Sequence, residues 1–169
     1  MEAVLGGGCF WCIQAALKVL PGVESVLCGY AGGDTTDPSY KEVCTGTTGH
    51  AEVVKVVFDE EILPYKKLLE AFFRIHDPTQ KNRQGPDIGS QYRSIVLCYD
   101  DDQLRLAQTT IDGLQASYQQ PIVTQLQLLK KFYLAEEEHQ DFFAKNPQNA
   151  YCQFHTAPKI KKIKEFLDA

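Results

Sequence analysis

The apolar and polar positions in the first third of the chain alternate between the strand and helix periods. Residues 3–5 are apolar and predict a short strand that runs into three glycines. Cys9 to Leu20 carries apolar side chains at helical spacing and stops before Pro21-Gly22. Val23 to Tyr30 and His50 to Phe58 return to the strand pattern. This part of the chain is therefore predicted to run strand, helix, strand, strand.

The next segments add one helix and one strand. Apolar residues from Leu68 to His76 share a helical face, which Pro64 can start and Asp77-Pro78 stops. Arg93 to Tyr99 then predicts a strand. The resulting order is the split pattern of a ferredoxin-like core. We therefore predict an α+β fold built on that core, with additional strands and helices and an irregular C-terminal region.

Five further segments are predicted around this core. Ser39 to Glu42 has the form of a capping box that opens one short helical turn. Thr79 to Gln91 is a polar loop of a length that is usually functional or disordered. Leu104 to Tyr118 carries an apolar helical face, and Pro121 to Leu128 alternates weakly, as a strand would. A last helix is predicted over Ala135 to Lys145.

Composition and charge restrict the class of protein. No composition shift divides the chain, so we expect one domain over residues 1–169. Seventeen Lys and Arg against 22 Asp and Glu give a formal charge of -5, which argues against nucleic acid and anionic membranes as partners. The one basic segment, Lys159 to Lys164, is predicted to be the solvated face of a helix. With no targeting segment or long apolar run, we expect a cytoplasmic monomer.

The motif "GGGCFWC" at residues 6–12 is the strongest candidate for chemistry. It places Cys9 at the predicted N-terminus of a helix, where the helix dipole and free N–H groups favour a thiolate. Such a sulfur would be a nucleophile near neutral pH. In a reducing compartment, the six cysteines are better explained as buried small residues plus a few reactive thiols than as a disulfide framework.

The rest of the chain bears on three other interpretations of the Cys-x-x-Cys motif. A zinc site needs a second close pair of ligands, whereas Cys28, Cys44, Cys98 and Cys152 are scattered singly. A thioredoxin-like thiol–disulfide exchange enzyme is the serious alternative, and a noncatalytic module that binds methionine-like side chains is a third. The aromatic pair between the cysteines, Phe10-Trp11, instead favours a pocket for a small nonpolar group.

A carboxyl group is predicted in the same region of the fold. Strand alternation puts Glu52 on one face with Val54, Val56 and Phe58, at the end of an otherwise apolar row. Burial there would raise its pKa and make it a general acid, whereas an exposed edge position would leave it an ordinary surface carboxylate. The hydroxyls of Tyr40 and Tyr92 could join it.

Four motifs together resemble the class A peptide methionine sulfoxide reductases: "GGGCFWC", "GYAGG", "PSYKEVCTGTTGHAEVVKV" and "DPTQKNRQGPDIGSQYRS". The resemblance spans residues 6–94 and continues more weakly through "EEEHQDFF" and "NAYCQF". It implies an α+β enzyme of protein repair under oxidative stress, which reduces the S epimer of methionine sulfoxide, free or in peptides. It requires no metal, flavin or nicotinamide.

Position by position, the resemblance implies that Cys9 attacks the sulfoxide sulfur and that Glu52 is the acid. Phe10 and Trp11 match the residues that hold the methyl group on sulfur. The polar residues implied around the sulfoxide oxygen are Tyr40, Tyr92 and Asp87.

The resemblance also implies a sulfenic acid on Cys9, then a disulfide with a second thiol that thioredoxin reduces. Many family members carry glycine in place of Cys12 and recycle through cysteines near the C-terminus. Two resolving thiols are therefore expected as alternatives. Cys12 lies one helical turn from Cys9, and Cys152 lies on a segment predicted to be flexible.

Overall fold

A six-stranded sheet flanked by helices organises residues 1–168, the part of the chain that this computed structural model describes. In chain order the elements are β1 (Glu2–Gly6), α1 (Phe10–Leu17), β2 (Val23–Ala31), α2 (Tyr40–Cys44), β3 (Ala51–Phe58), α3 (Tyr65–Arg74), β4 (Arg83–Gln84), β5 (Asp87–Ile88), β6 (Ile95–Cys98), α4 (Asp101–Leu114), β7 (Gln125–Leu128), β8 (Tyr133–Leu134), α5 (Phe142–Lys145) and α6 (Ala157–Asp168). None of these helices is both long enough and apolar enough to cross a bilayer.

The strand order confirms the predicted α+β core. The six strands lie in the order β7-β6-β1-β3-β2-β8, and only the β6–β7 pair is parallel. The four central strands, with α1 and α3 as the two connecting helices, reproduce the split ferredoxin-like arrangement. Strands β4 and β5 form a separate two-stranded hairpin.

Strand β3 separates two apolar layers by its alternation. Val54, Val56 and Phe58 belong to the large core that α1 and α3 cover, whereas Ala51 and Val53 belong to a smaller core on the opposite face. The two-residue period puts position 52 on the same face as Val54, at the end that approaches the start of α1. The sheet therefore carries the Glu52 carboxyl to the helix that begins after Cys9.

The predicted capping box is present at α2. The Ser39 side chain accepts a hydrogen bond from the Glu42 N–H, and the Glu42 carboxylate accepts one from the Ser39 N–H at 3.0 Å. The N–H of Gly46, at a φ of 76°, donates to the Val43 carbonyl and closes the turn. These local contacts fix Tyr40 at the first position of α2.

The helix predicted over Ala135 to Lys145 is wrong. The structure has β8 before it, a 3₁₀ turn at Glu137–His139, and only the four-residue α5 after Asp141, whose φ is 54°. The buried Gln140 side chain explains the break. Its amide accepts from the Cys28 N–H at 2.9 Å and donates to the Cys28 carbonyl at 2.9 Å, so it ties this segment to β2.

Two further segments are more ordered than predicted. The loop over Thr79 to Gln91 contains the β4–β5 hairpin, and the Gln84 side chain bonds both the N–H and the carbonyl of Asp77. The C-terminal region forms a wide helical turn at Cys152–Thr156 that continues into α6. Ile163 of α6 is fully buried in the main core. The strand predicted from Pro121 is shorter and begins at Gln125.

We predict that Gly33→Ala destabilises the protein. A Cβ at this position would lie 2.4 Å from the Gly49 carbonyl carbon and 2.4 Å from the His50 nitrogen, and backbone atoms cannot rotate away. The expected loss is about 1–3 kcal/mol. Gly113→Ala in α4 is the control, since a Cβ there meets nothing within 4 Å; it should be neutral or stabilise by up to about 1 kcal/mol. Urea unfolding measures both, and equal effects would contradict the prediction.

Candidate active site

Cys9 occupies the N-cap position of α1, as the sequence predicts. Its carbonyl accepts hydrogen bonds from the N–H groups of Cys12 at 3.1 Å and Ile13 at 3.4 Å. Gly8 precedes it with a φ of 94°, a conformation that favours glycine. The Cys9 side chain is half-buried and faces a cavity of about 70 Å³, which Asp87 also lines.

Glu52 presents a buried carboxyl group beside the start of α1. It is 1 % exposed, and its Oε1 accepts a hydrogen bond from the Phe10 N–H at 3.2 Å. Burial raises the pKa of Glu52 to about 8, the Phe10 bond opposes that rise, and the charge of Asp87 adds to it. Its Oε2 is buried and has no hydrogen-bond partner among residues 1–168. Glu52 is therefore largely protonated at pH 7 and has one oxygen free for a ligand.

An aromatic group surrounds the residues that follow Cys9. Phe10 is buried, with its ring centroid 6.2 Å from that of Tyr40. The half-buried Trp11 stacks on Phe142 at 3.7 Å, and its Nε1–H donates to His139 Nδ1 at 3.1 Å. The His139 ring lies 4.3 Å from Tyr40. Phe10 and Trp11 thus belong to a fixed aromatic wall that follows Cys9 in the chain, and their contact with a substrate methyl group stays a prediction.

Tyr40, Tyr92 and Asp87 lie around the same carboxyl group. Both tyrosines are half-buried, and burial together with the nearby Glu52 raises the pKa of each hydroxyl, which remains a hydrogen-bond donor at neutral pH. Asp87 accepts a hydrogen bond from the Tyr151 hydroxyl. Of these residues, Asp87 lines the cavity that Cys9 faces, whereas Tyr40 and Tyr92 do not, and their place around a sulfoxide oxygen stays a prediction.

The pKa values of the two thiols of the motif are shifted in opposite directions. Burial raises the pKa of the Cys9 thiol, and the neighbouring Cys12 and Glu52 raise it further. The Cys12 pKa is lowered to about 7, first by its contact with Cys9 and then, against the cost of burial, by Thr156 and Lys159. Burial and these neighbours therefore oppose the effect of the helix terminus, which favours a Cys9 thiolate.

Cys152 lies in the same helical turn as a residue that contacts this pair. Thr156 Oγ1 lies 3.1 Å from Cys12 Sγ, and both Thr156 and Cys152 belong to the turn Cys152–Thr156. Cys152 is fully buried, and burial raises its pKa. The expected flexible segment is therefore packed against the motif. Of the remaining cysteines, Cys28 and Cys98 are buried core residues, as their strand patterns suggest.

Among residues 1–168, one group of side chains has metal-ligand proximity: Glu136, Glu138 and His139. Both Glu136 oxygens are already acceptors, one from the Tyr30 hydroxyl and one from the Tyr40 N–H, each at 2.9 Å. His139 Nδ1 accepts from Trp11, which puts the ring proton on Nε2 and leaves no lone pair there. This donor set does not fit a metal ion and instead positions the aromatic wall.

Sequence reasoning missed four side chains that complete the site: Tyr151, Thr156, Lys159 and His139. The sequence predicts that Lys159 lies on the solvated face of a helix, and this prediction is wrong. Lys159 is half-buried, and its Nζ donates a hydrogen bond to the Ile75 carbonyl at 2.6 Å. No local pattern separates Lys159 from the exposed lysines beside it. Only the packing of α6 against α1 and α3 identifies it.

Comparisons with known proteins agree with the geometry. The family model described as "Peptide methionine sulfoxide reductase" matches residues 1–168. The chain is similar to "Peptide methionine sulfoxide reductase MsrA" of Natronomonas pharaonis, with 59% identity over 165 residues that cover 96% of this chain and 93% of the relative.

Two solved structures of a yeast protein are also similar. Mxr1 from Saccharomyces cerevisiae in reduced form has 37% identity and a TM-score of 0.86, over 92% of this chain and 90% of that one. Mxr1 in complex with Trx2 has 24% identity and a TM-score of 0.61, over 84% of each chain, which is a likeness of fold.

We predict that the buried Glu52 carboxyl makes the protein less stable as pH rises. Below its unfolded pKa near 4.5, folded and unfolded states are both protonated, so burial has no ionisation cost. Between 4.5 and about 8 only the unfolded state ionises, and the free energy of unfolding falls until the folded group also ionises. Relative to Glu52→Gln, the wild type should lose on the order of 3 kcal/mol between pH 5 and pH 9.

Urea unfolding at pH 5, 7 and 9 checks this. Glu61→Gln, which removes an exposed carboxylate, is the matched control and should follow the wild type. A Glu52→Gln protein whose stability parallels that of the wild type at every pH would contradict the assignment.

Proposed function

The chain belongs to the peptide methionine sulfoxide reductase family, and from that premise we propose how its residues carry out the reaction. The enzyme is an oxidoreductase that reduces methionine sulfoxide to methionine. We assign the nucleophile to Cys9, the acid to Glu52 and the substrate contacts to the aromatic wall. The observation that carries this assignment is the buried, protonated Glu52, whose free Oε2 lies beside the helix start that bears Cys9.

The proton on Glu52 activates the sulfoxide for attack by Cys9. A sulfoxide sulfur is a poor electrophile until its oxygen is protonated or strongly hydrogen-bonded. Glu52 gives its proton to that oxygen, while the Tyr40 and Tyr92 hydroxyls donate hydrogen bonds to it. The Cys9 sulfur attacks the substrate sulfur and takes over the oxygen, so methionine leaves and Cys9 becomes a sulfenic acid. The proton that Cys9 loses replaces the one that Glu52 gave.

The shape of the site supports selection of the S epimer. The substrate sulfur carries a methyl group, an oxygen, a longer carbon chain and a lone pair. We assign the methyl group to Phe10 and Trp11 and the oxygen to Glu52, which lies on another side. With Cys9 approaching from a third direction, only one hand of the sulfur lets the longer chain leave toward solvent. Because these contacts involve only the end of the side chain, free and peptide-bound methionine sulfoxide are both substrates.

A second thiol completes the turnover. Cys12 is the resolving residue that we propose, because it lies on the first turn after Cys9 and its pKa is lowered to about 7. Its thiolate attacks the Cys9 sulfur, a disulfide forms, and the hydroxide of the sulfenic acid takes a proton from Glu52 and leaves as water. The alternative resolving residue, Cys152, lies in the turn that carries Thr156 and can receive the disulfide from Cys12.

An external dithiol must then reduce the enzyme. We propose thioredoxin, supported by the fold-level likeness to Mxr1 bound to Trx2. Such recycling fits a reducing compartment, and we propose a monomeric, cytoplasmic enzyme that repairs oxidised proteins. All six cysteines are free thiols in this reduced state.

We predict that the enzyme consumes half of a racemic aryl methyl sulfoxide when dithiothreitol is the reductant. Cys9→Ser should release no reduced product, because the nucleophile is absent. Glu52→Gln should lower the rate by about 10²–10⁴ at pH 7, since the acid is absent. The wild-type reduction step should itself slow above pH 8, as Glu52 ionises. Chiral chromatography of the residual sulfoxide is the measurement, and consumption of both enantiomers at one rate would exclude the proposed site.

We also predict that the first disulfide joins Cys9 and Cys12. One turnover without reductant, followed by alkylation and peptide mass mapping, identifies the pair. Cys152→Ser should still form the bond, whereas Cys12→Ser should accumulate a sulfenic acid that dimedone traps. If Cys12→Ser closed an intramolecular disulfide at the wild-type rate, Cys152 would be the resolving residue instead.

A further inference from the structure

The environment of Cys12 is built by a part of the chain far from the motif. Thr156, in the wide turn before α6, places its Oγ1 3.1 Å from Cys12 Sγ. Both groups are buried, so this contact is shielded from water. A hydroxyl that donates to a sulfur stabilises its charged form more than its neutral form.

A lysine ammonium group lies in the same place, where burial lowers its pKa and the charge of Cys12 raises it. Lys159 lines the small cavity that Cys9 and Cys12 share. Its Nζ is held by the Ile75 carbonyl at the end of α3, at 2.6 Å, and its side chain is half-buried. An ammonium group held beside a buried sulfur favours the thiolate, because solvent screens the interaction only weakly there.

Taken together, these contacts point to a role for the C-terminal segment in the second half of the reaction. We propose that Thr156 and Lys159 are positioning residues that hold Cys12 as the thiolate that closes the disulfide with Cys9. The inference rests on the proposed function, and it adds the reason why Cys12 reacts. The bond that forms is Cys9 Sγ–Cys12 Sγ, the bond that breaks is Cys9 S–O, and the hydroxide leaves as water with a proton from Glu52.

The pH dependence of this step involves every titratable group around Cys12. Those near it or its cavity are Cys9 at the N-cap of α1, Cys28 from β2, Glu52 from β3, Asp87 from β5, and Tyr151, Cys152, His155 and Lys159 from the C-terminal segment. The acidic groups and the buried position oppose a charge on Cys12. Thr156 and Lys159 therefore stabilise the Cys12 thiolate against these effects. Removing either should shift the pH dependence of disulfide closure toward higher pH.

The test compares two steps of a single turnover without reductant. Methionine release is followed by rapid quench, and disulfide closure is followed by mass mapping and by dimedone trapping of Cys9. In Thr156→Val, the ratio of the closure rate to the release rate should fall about fivefold to tenfold at pH 7, as expected for a shift of one pKa unit. The ratio should recover by pH 9, where Cys12 is ionised without help.

Lys159→Met should lower the same ratio in the same pH-dependent way. Agreement between the two variants would show that the effect does not come from a folding defect in one of them. Thr156→Ser keeps the hydroxyl and should restore the wild-type profile. Lys161→Met removes the same charge from an exposed position of α6 and is the matched control, with a wild-type ratio at every pH.

Different results would contradict the inference about Cys12 and the proposed function. A ratio unchanged in both Thr156→Val and Lys159→Met overturns the inference. So does a loss that is equal at all pH values or that slows both steps together, since either result indicates a merely structural role. If the wild type releases no methionine, the proposed function itself fails.

Discussion

The hydrogen bond from the Phe10 N–H to the Glu52 carboxyl is the contact on which the site depends. It joins the first turn of α1 to the start of β3, at a buried position from which water is excluded. The fold buries an ionisable group that would be more stable in solvent. The buried group remains an acid at neutral pH, so the same desolvation that weakens the folded state supplies the proton that the chemistry needs.

The C-terminal third of the chain closes the site rather than extending from it. Gln140 ties one segment to β2, His139 receives the indole N–H of Trp11, and Thr156 reaches Cys12. Each of these contacts joins residues more than one hundred positions apart. Cys9 and Cys12 come from the start of the chain, and its end adds Thr156 and Lys159 to their surroundings. Site assembly therefore requires the complete fold.

The two cysteines of the motif have different surroundings. Burial and the nearby Glu52 raise the pKa of the Cys9 thiol. Thr156 and Lys159 favour the charged form of Cys12, which suits the resolving role that we propose for it. A thiol–disulfide exchange enzyme needs the opposite arrangement, with an acidic first cysteine on an open surface. The aromatic wall and the buried carboxyl make this a site for a small sulfoxide group.

The sequence by itself determined the strand and helix order, the position of Cys9 at a helix start, the capped turn before Tyr40 and the face on which Glu52 lies. These follow from short-range periods and caps, which act within a few residues. Tertiary structure alone decided that Thr156 lies beside Cys12, that Lys159 points inward, and that Ala135 to Lys145 is not a helix. Desolvation and side-chain contacts across the sheet set these properties, and both depend on which distant residues surround a group.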